Sequence, residues 1–114
     1  MVKRVVGLFE TIEVIGEEKV EALAKFDTGA DISSVDLYVA AKARLGPVIG
    51  RTKIRSAHGF SRRPVVKAKF KILGKIIEAN VTLSDRKIRK HKVLVGKDVI
   101  SNNFVIDPSR EASK

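Results

Sequence analysis

Hydrophobic and charged side chains alternate along the middle of the chain, between residues 66 and 83. The apolar positions of this pattern are Val66, Ala68, Phe70 and Ile72 and, after a turn at Gly74 and Lys75, Ile77, Ala79, Val81 and Leu83. A period of two sends successive side chains to opposite faces of a β-strand. The segment therefore predicts a β-hairpin with one buried face, and this constrains the chain to a fold rich in antiparallel sheet.

Shorter segments on the N-terminal side predict further strands. These strands are expected, in chain order, near Val5 to Ile15, Val20 to Phe26 and Lys53 to Ser56. A glycine turn at Gly16 would join the first two, because glycine adopts the backbone angles that tight turns need. The third would lead into a loop at His58 and Gly59.

Two short helices are expected beside the strands. One should run from Asp36 to Leu45 and be closed by Gly46, and the other should begin at Lys97 or Asp98. The aromatic residues that stand where a hydrophobic core would need them are Phe9, Phe26, Phe70 and Phe104. We interpret the chain as a small, closed, mainly β-barrel with one or two short helices.

Length and composition predict one domain that spans residues 1–114. A chain of this length buries roughly 65% of its unfolded surface, which is enough for a single core. It contains no cysteine, so disulfides and zinc–thiolate sites are excluded. The N-terminal segment soon reaches Glu10 and Glu13 and has no long apolar run, which argues against a signal peptide or a membrane span. We therefore expect a cytoplasmic protein.

An aspartate directly follows the predicted strand that ends at Phe26. Residues 27–30 read Asp-Thr-Gly-Ala. Gly29 would let the backbone turn tightly and approach a substrate, and the Thr28 hydroxyl could hydrogen-bond across to a partner loop. An Asp and a Gly after a strand also form ordinary turns, so these four residues alone leave a purely structural role open.

Later segments occur in the order and spacing of one protein family. They are Ser56 to Val66, Leu83 to Arg86, Val93 to Ile100 and Phe104 to Arg110. Together with Asp27-Thr28-Gly29-Ala30, they resemble the retropepsin-like aspartic peptidases, in the family catalogued as ATP-dependent zinc proteases. The resemblance extends over residues 5–110 and implies the closed acid-protease β-barrel.

The resemblance also implies an activity and an assembly. Peptide hydrolysis by this route uses two carboxylates that share a proton, one as general base and the other as general acid. The chain contains a single Asp-Thr-Gly sequence. A homodimer in which each subunit contributes Asp27, with Thr28 bridging the subunits, is therefore the implied form.

Further site residues are assigned by the same resemblance. Thr28, Gly29 and Ala30 would form the active-site loop, and Gly96 would support that loop. His58 and Gly59 would lie in a flap over the substrate. Arg62, Arg63 and Arg86 would contact the substrate or support the site, and Asp85 would orient Arg86 through a carboxylate–guanidinium pair.

The sequence predicts no metal site and no cofactor, although the family label names zinc and ATP. His58 and His91 are far apart in the sequence, and the chain has neither a cysteine nor a His-Glu-x-x-His helix. A phosphate-binding Gly-x-x-x-x-Gly-Lys-Ser/Thr loop is missing from the sequence as well. Neither zinc nor ATP dependence is therefore supported by the sequence.

The formal net charge of +10 bears on the partner. A basic surface around a catalytic cleft would attract acidic peptides, and the resemblance implies glutamate-rich tails as substrates. Strand lysines can equally coat the outer face of a sheet.

Two alternative functions remain open. One is a non-catalytic basic β-barrel that binds RNA or a ribosomal partner, for which residues 86–92 supply a cationic run. The other is a degenerate barrel that serves as a dimeric binding module. Few aromatic residues are present to stack on bases, which disfavours nucleic acid.

Overall fold

The computed structural model describes residues 2–57 and 59–110, and in this part of the chain it contains nine strands and two short helices. The strands are β1 (Arg4–Val6), β2 (Phe9–Ile15), β3 (Lys19–Phe26), β4 (Ser34–Asp36), β5 (Gly50–Ser56), β6 (Gly59–Ile72), β7 (Lys75–Ser84), β8 (Val93–Val95) and β9 (Phe104–Ile106). The helices are α1 (Leu37–Ala43) and α2 (Lys97–Ile100).

Six of the strands close into a barrel. Their order is β2-β3-β8-β4-β7-β6, and a second pairing of β6 with β2 completes the ring. At this closure Val14 of β2 lies opposite Phe70 of β6. The predicted mainly β-barrel with two short helices is confirmed. Two of its strand pairs, β3 with β8 and β4 with β7, are parallel, so the sheet is mixed.

The hairpin predicted from the alternating pattern is formed by β6 and β7. Val66 lies opposite Val81 and Phe70 lies opposite Ile77. Leu73 and Gly74 both adopt positive φ angles, 48° and 82°, in the turn that joins the strands. Strand β6 begins at Gly59, well before the alternation starts, and its first half pairs with β5 to form a second hairpin.

The core lies inside the barrel and contains three of the four predicted phenylalanines. Phe26, Phe70 and Phe104 are buried, and the rings of Phe26 and Phe104 meet edge to face with their centroids 5.9 Å apart. The prediction for Phe9 is wrong, because 37% of this residue is exposed. Its ring contacts His91 instead of the core.

The predicted first strand, from Val5 to Ile15, is divided in two by Gly7 and Leu8. The backbone N–H of Gly7 donates a hydrogen bond of 2.7 Å to Oε2 of the buried Glu10, and the same oxygen accepts one of 3.0 Å from Arg110. These bonds turn the chain so that β1 leaves the barrel and pairs in parallel with β9. The break thus depends on a contact with the far end of the chain, which the local pattern could not reveal.

Helix α1 also ends earlier than predicted. Its start is defined by Asp36, whose Oδ2 accepts hydrogen bonds from the N–H groups of Tyr38 and Val39. Arg44 adopts the left-handed conformation with φ of 55° and donates its N–H to the last carbonyls of the helix. The helix is therefore closed by Arg44, and Gly46 is not needed as a cap.

Truncation of Phe70 tests the importance of the barrel core. We expect Phe70→Ala to lower the free energy of unfolding by about 3–5 kcal/mol, because it removes a fully buried ring at the closure of the barrel. Urea unfolding followed by circular dichroism measures this change. Ile88→Ala is the matched control, because Ile88 is 93% exposed and its truncation should leave the stability within about 0.5 kcal/mol of wild type. Equal losses in the two variants would contradict this account of the core.

Candidate active site

Asp27 lies at the carboxyl end of β3, where this strand runs parallel to β8. Its N–H donates a hydrogen bond of 2.8 Å to the carbonyl of Val95, which continues the pairing of the two strands by one residue. Its Oδ1 accepts a hydrogen bond of 2.8 Å from the N–H of Gly29. Backbone and side chain are therefore both held, and the half-buried carboxylate is presented at the end of the sheet.

The loop that follows turns tightly around this carboxylate. The N–H of Ala30 donates to the carbonyl of Asp27 at 3.2 Å. A Cβ atom on Gly29 would lie 3.1 Å from Oδ1 of Asp27, so a larger residue would crowd the oxygen that the Gly29 N–H binds. Thr28 and Gly29 are exposed at the tip of the loop, where a second molecule could contact them.

The junction between β8 and α2 is hydrogen-bonded to this loop and supports it. The N–H of Gly96 donates to the hydroxyl of Ser33 at 2.9 Å, and the N–H of Lys97 donates to the carbonyl of Ala30 at 2.8 Å. A Cβ on Gly96 would lie only 2.7 Å from that same carbonyl oxygen. Gly96 is therefore required for the close approach of two backbone segments, and it lies against the loop that follows Asp27.

Asp98 completes this support. Its Oδ1 accepts a hydrogen bond of 2.7 Å from the Ser33 hydroxyl, and both of its oxygens lie 3.1 Å from the Ser33 N–H. Oδ1 also accepts from the N–H of Val99 in the first turn of α2. Ser33 is fully buried, so these bonds satisfy polar groups that water does not reach. The local sequence gives no sign of this contact, because it joins segments 65 positions apart.

An ion pair lies on the outside of the same junction. The ammonium of Lys97 is 2.8 Å from Oδ1 of Asp31, and both side chains are exposed. The hydrogen bond and the opposite charge lower the pKa of Asp31 and raise the pKa of Lys97. The pair therefore contributes fully between the ordinary pKa values of 3.8 and 10.5, and its contribution is lost in stronger acid or base. The feature of the sequence that could have indicated this pair is Asp31, the acidic residue directly after Asp-Thr-Gly-Ala.

A cleft of about 440 Å³ opens beside the loop. Gly29, Ala30 and Ile32 form one side of it, and Arg63 and Arg86 bring two guanidinium groups to it. Lys53 and Arg55 of the β5–β6 hairpin also line the cleft. Four cations thus border the space next to Asp27. Of the arginines singled out in the sequence, Arg62 is not among the lining residues.

Arg86 is held in place from two sides. Its N–H donates to Oδ1 of Asp36 at 2.8 Å, and its Nε donates to the carbonyl of His91 at 3.2 Å. Burial lowers the pKa of Arg86, as do Arg89 and Arg63, while Asp36 and Asp27 raise it. An arginine nevertheless stays protonated at neutral pH. Arg86 is therefore a positioned cation within electrostatic reach of Asp27.

The orienting pair predicted between Asp85 and Arg86 does not form. Within residues 2–57 and 59–110, no ion pair joins the two side chains, and Asp85 instead accepts a hydrogen bond of 3.0 Å from the N–H of Lys87. A side chain bonded to the backbone two residues later closes a local turn. The buried carboxylate of Asp36, which the sequence marked only as a helix start, takes over the role of fixing the Arg86 backbone.

The β5–β6 hairpin supplies the candidate flap. Gly59 begins β6 with a φ of 104°, a conformation that favours glycine, and it lies opposite Ser56 of β5. His58 lies outside the described residues. Arg63 is half-buried and reaches the cleft, whereas Arg62 is exposed.

A second cleft, of about 580 Å³, is mostly apolar. Its lining residues are Phe9, Leu23, Ile88, Arg89, Lys90 and His91. The carbonyl of Leu8 accepts a hydrogen bond from the N–H of Phe26, which brings this cleft next to the Asp27 loop. Burial lowers the pKa of His91, and so does the positive charge of Arg86. The cleft explains why Phe9 is exposed instead of buried in the core.

Neither a metal cluster nor a membrane helix is found in the described part of the chain. No group of three or more His, Cys, Asp or Glu residues there could hold a metal ion. No helix among these residues is long and apolar enough to cross a membrane.

Comparison with known proteins connects this geometry to a family. The model of the RimB-like family, described as retropepsin-like aspartic endopeptidase RimB, matches residues 38–114. The chain belongs to this family. The match begins after the Asp27 loop and includes Arg63, Arg86 and the β8–α2 junction. No curated protein matches the sequence.

Solved structures with the same fold include two retroviral proteases. The EIAV protease in complex with the inhibitor HBY-793 has a TM-score of 0.69 and 17% identity, over 82% of this chain and 85% of that one. The simian foamy virus (mac) protease has a TM-score of 0.59 and 25% identity, over 80% and 90%. The Legionella pneumophila protein Lpg0085, of unknown function, has a TM-score of 0.66 and 21% identity over 98% of both chains. The predicted retropepsin-like fold is confirmed.

Substitution of Gly96 tests the support under the loop. We expect Gly96→Ala to destabilise the protein by about 1–3 kcal/mol, because the new Cβ would press on the backbone carbonyl of Ala30. Thermal unfolding measures the loss. Gly50→Ala is the matched control, since a Cβ at Gly50 meets no atom within 4 Å and should change the stability little. If both variants were as stable as wild type, the loop would not depend on this close approach.

Proposed function

We propose that the protein is an aspartic peptidase that acts as a homodimer, with one Asp27 contributed by each subunit. The observation that carries this proposal is the Asp27 carboxylate, fixed by the Gly29 N–H at the tip of a sheet beside a cleft, in a chain of the retropepsin-like family. Two carboxylates brought close together cannot both ionise without cost, so the pair holds one proton. The ionised carboxylate then activates a water molecule, and the protonated one polarises the peptide carbonyl and protonates the leaving nitrogen.

The roles of the other aspartates support the participation of a second subunit. Asp85 closes the turn at Lys87, and Asp107 accepts hydrogen bonds from the N–H and hydroxyl of Ser109. Asp36 and Asp98 are bonded to backbone N–H groups of the scaffold. Asp31 is paired with Lys97. These carboxylates are thus committed to local structure, which supports another copy of the chain as the source of a partner for Asp27.

Exposed apolar residues next to the Asp27 loop are suited to such a dimer. Val5 and Val105 are paired across β1 and β9 and are 46% and 52% exposed, and Leu8 is 40% exposed. Phe104 of β9 packs against Phe26, the residue before Asp27. The N–H of Phe26 donates a hydrogen bond to the carbonyl of Leu8. Burial of these residues between two copies would bring two Asp27 loops together and remove apolar surface from water.

We propose acidic peptides as the substrates. Lys53, Arg55, Arg63 and Arg86 border the cleft beside the Asp27 loop, and among residues 2–57 and 59–110 Asp31 is the one acidic residue that lines it. Guanidinium groups bind carboxylates with paired, charge-assisted hydrogen bonds. Glutamate or aspartate side chains on either side of the scissile bond would therefore be favoured over neutral or basic ones.

Replacement of Asp27 by Asn tests catalysis and assembly together. We expect Asp27→Asn to abolish cleavage of an acidic peptide panel measured by mass spectrometry, because an amide cannot act as the base. When the variant is mixed with an equal amount of wild type and the subunits exchange, the mixture should have about one quarter of the activity of wild type at the same total protein concentration. Only one pairing in four then holds two intact carboxylates. Independent subunits would leave about one half.

The matched control for this experiment is Asp85→Asn, which alters a turn carboxylate outside the site and should retain activity. Peptides that contain acidic, neutral and basic residues, including oligoglutamate tails, should be tested at several pH values. Cleavage that survives in Asp27→Asn, or a folded wild-type protein that cleaves none of the peptides, would overturn the proposal.

Substitution of Arg63 tests the preference for acidic substrates. We expect Arg63→Gln to lower kcat/KM for an acidic peptide by about tenfold, because it removes one charge-assisted contact, and to leave a neutral peptide almost unchanged. Lys69→Gln removes an exposed charge on the outside of the barrel and serves as the control. An equal loss for both peptides in Arg63→Gln would instead indicate damage to the site.

A further inference from the structure

Cationic side chains gather on one face of the β5–β6 hairpin. Across the two strands Arg51 lies opposite Pro64, Lys53 opposite Arg62, and Arg55 opposite Phe60. Alternate residues of a strand share a face, and directly opposed residues point the same way. One face, the cationic hairpin face, is therefore formed by Arg51, Lys53, Arg55, Phe60 and Arg62.

This face is exposed, and it holds an aromatic ring at its centre. Phe60 is 62% exposed, unlike the buried Phe26, Phe70 and Phe104. The ammonium of Lys53 lies 4.4 Å from the centroid of the Phe60 ring, and the guanidinium carbon of Arg55 lies 5.7 Å from it. Contacts of this kind between cations and an aromatic ring are attractive, and here they leave most of the residue exposed. The ring keeps a large surface open to a partner.

The charges on this face have no internal counter-charge. On the outside of the barrel, Lys67 pairs with Glu78 at 3.5 Å and Lys71 pairs with Glu13 at 3.9 Å. In the described part of the chain, none of the four cations of the hairpin face forms an ion pair. Four positive charges are therefore available to an external anion.

The spacing and the ring together indicate the kind of anion. Alternate residues of a strand are about 6.6 Å apart, so Arg51, Lys53 and Arg55 form a row suited to a polymer with regularly repeated charges. Single-stranded nucleic acid has both such charges and flat bases that stack on exposed aromatic rings. A run of glutamates or aspartates supplies the charges but no rings, and it leaves the exposed Phe60 without a stacking partner.

We propose that the cationic hairpin face binds single-stranded nucleic acid, with phosphates on the four cations and a base on Phe60. The opposite face of the hairpin, which carries Thr52, Ile54 and Arg63, lines the clefts beside Ala30 and Asp98. Lys53 and Arg55 also border the cleft beside the Asp27 loop, so the surface for nucleic acid adjoins the peptide-binding cleft at these two residues. This inference does not depend on peptidase activity.

The charge contribution is tested by fluorescence anisotropy with a labelled oligouridylate of about 12 nucleotides. Conversion of Arg51, Lys53, Arg55 and Arg62 to Gln should reduce the slope of log affinity against log salt by about 3, since each phosphate contact on a single strand contributes about 0.7. The control variant has Gln in place of Lys67, Lys69 and Lys71, which lie in the second half of β6. It should change the slope by less than about 1. An equal effect in both variants would overturn the assignment to this face.

The aromatic contribution is tested with Phe60→Ala and Phe60→Trp. Loss of stacking should weaken binding about tenfold in Phe60→Ala, and Phe60→Trp should restore it. Circular dichroism checks that both variants are folded, and Asp27→Asn should bind like wild type. The proposal is wrong if folded wild type does not bind the oligonucleotide, if Phe60→Ala binds equally well, or if oligoglutamate of the same charge binds as tightly.

Discussion

The candidate site depends on the contact between the β8–α2 junction and the loop that follows Asp27. Three consecutive residues of the junction each bind this loop: the Val95 carbonyl accepts from Asp27, the Gly96 N–H donates to Ser33, and the Lys97 N–H donates to Ala30. All three bonds involve backbone atoms of the junction, so its path fixes the position of the loop. The carboxylate is thus placed by a contact between distant parts of the chain and not by the loop sequence alone.

This arrangement explains why the acidic residues have different roles although they are chemically alike. Asp98 and Asp36 each accept several backbone hydrogen bonds, and these bonds tie α2 and α1 to neighbouring loops. Asp27 receives one such bond, from Gly29, and lies at an exposed sheet end. A carboxylate with fewer bonds to the scaffold keeps lone pairs for water and substrate. Asp85 also accepts a backbone bond from the residue two positions later, so it is the place of Asp27 at the end of β3, beside the cleft, that distinguishes it from such a turn aspartate.

The sequence predicted the parts of the fold that local periodicity controls. The alternation from Val66 to Leu83 places the β6–β7 hairpin and its buried face correctly, because in that hairpin the side-chain period and the turn agree. It did not predict the break at Gly7, since this break rests on Glu10 and Arg110, whose contact spans 100 positions. Phe9 was assigned to the core, but in β2 it shares a face with Thr11 and not with the buried Ile12, and it lines the cleft that contains His91. Periodicity determines which residues share a face and does not determine what covers that face.

The same distinction applies to the positive charge. The net charge of +10 says nothing about where the cations lie, whereas in the structure their surroundings differ. Lys67 and Lys71 are paired with glutamates on the barrel, and the Lys92 ammonium donates to the carbonyls of Arg86 and Lys87 to close their turn. The cations of the cleft and of the hairpin face are concentrated on β5, the first half of β6 and Arg86. Because salt screens charges beyond about 8 Å, a distant lysine on the barrel adds little to the field at the cleft. The local cluster, rather than the total charge, therefore determines which anions the protein attracts.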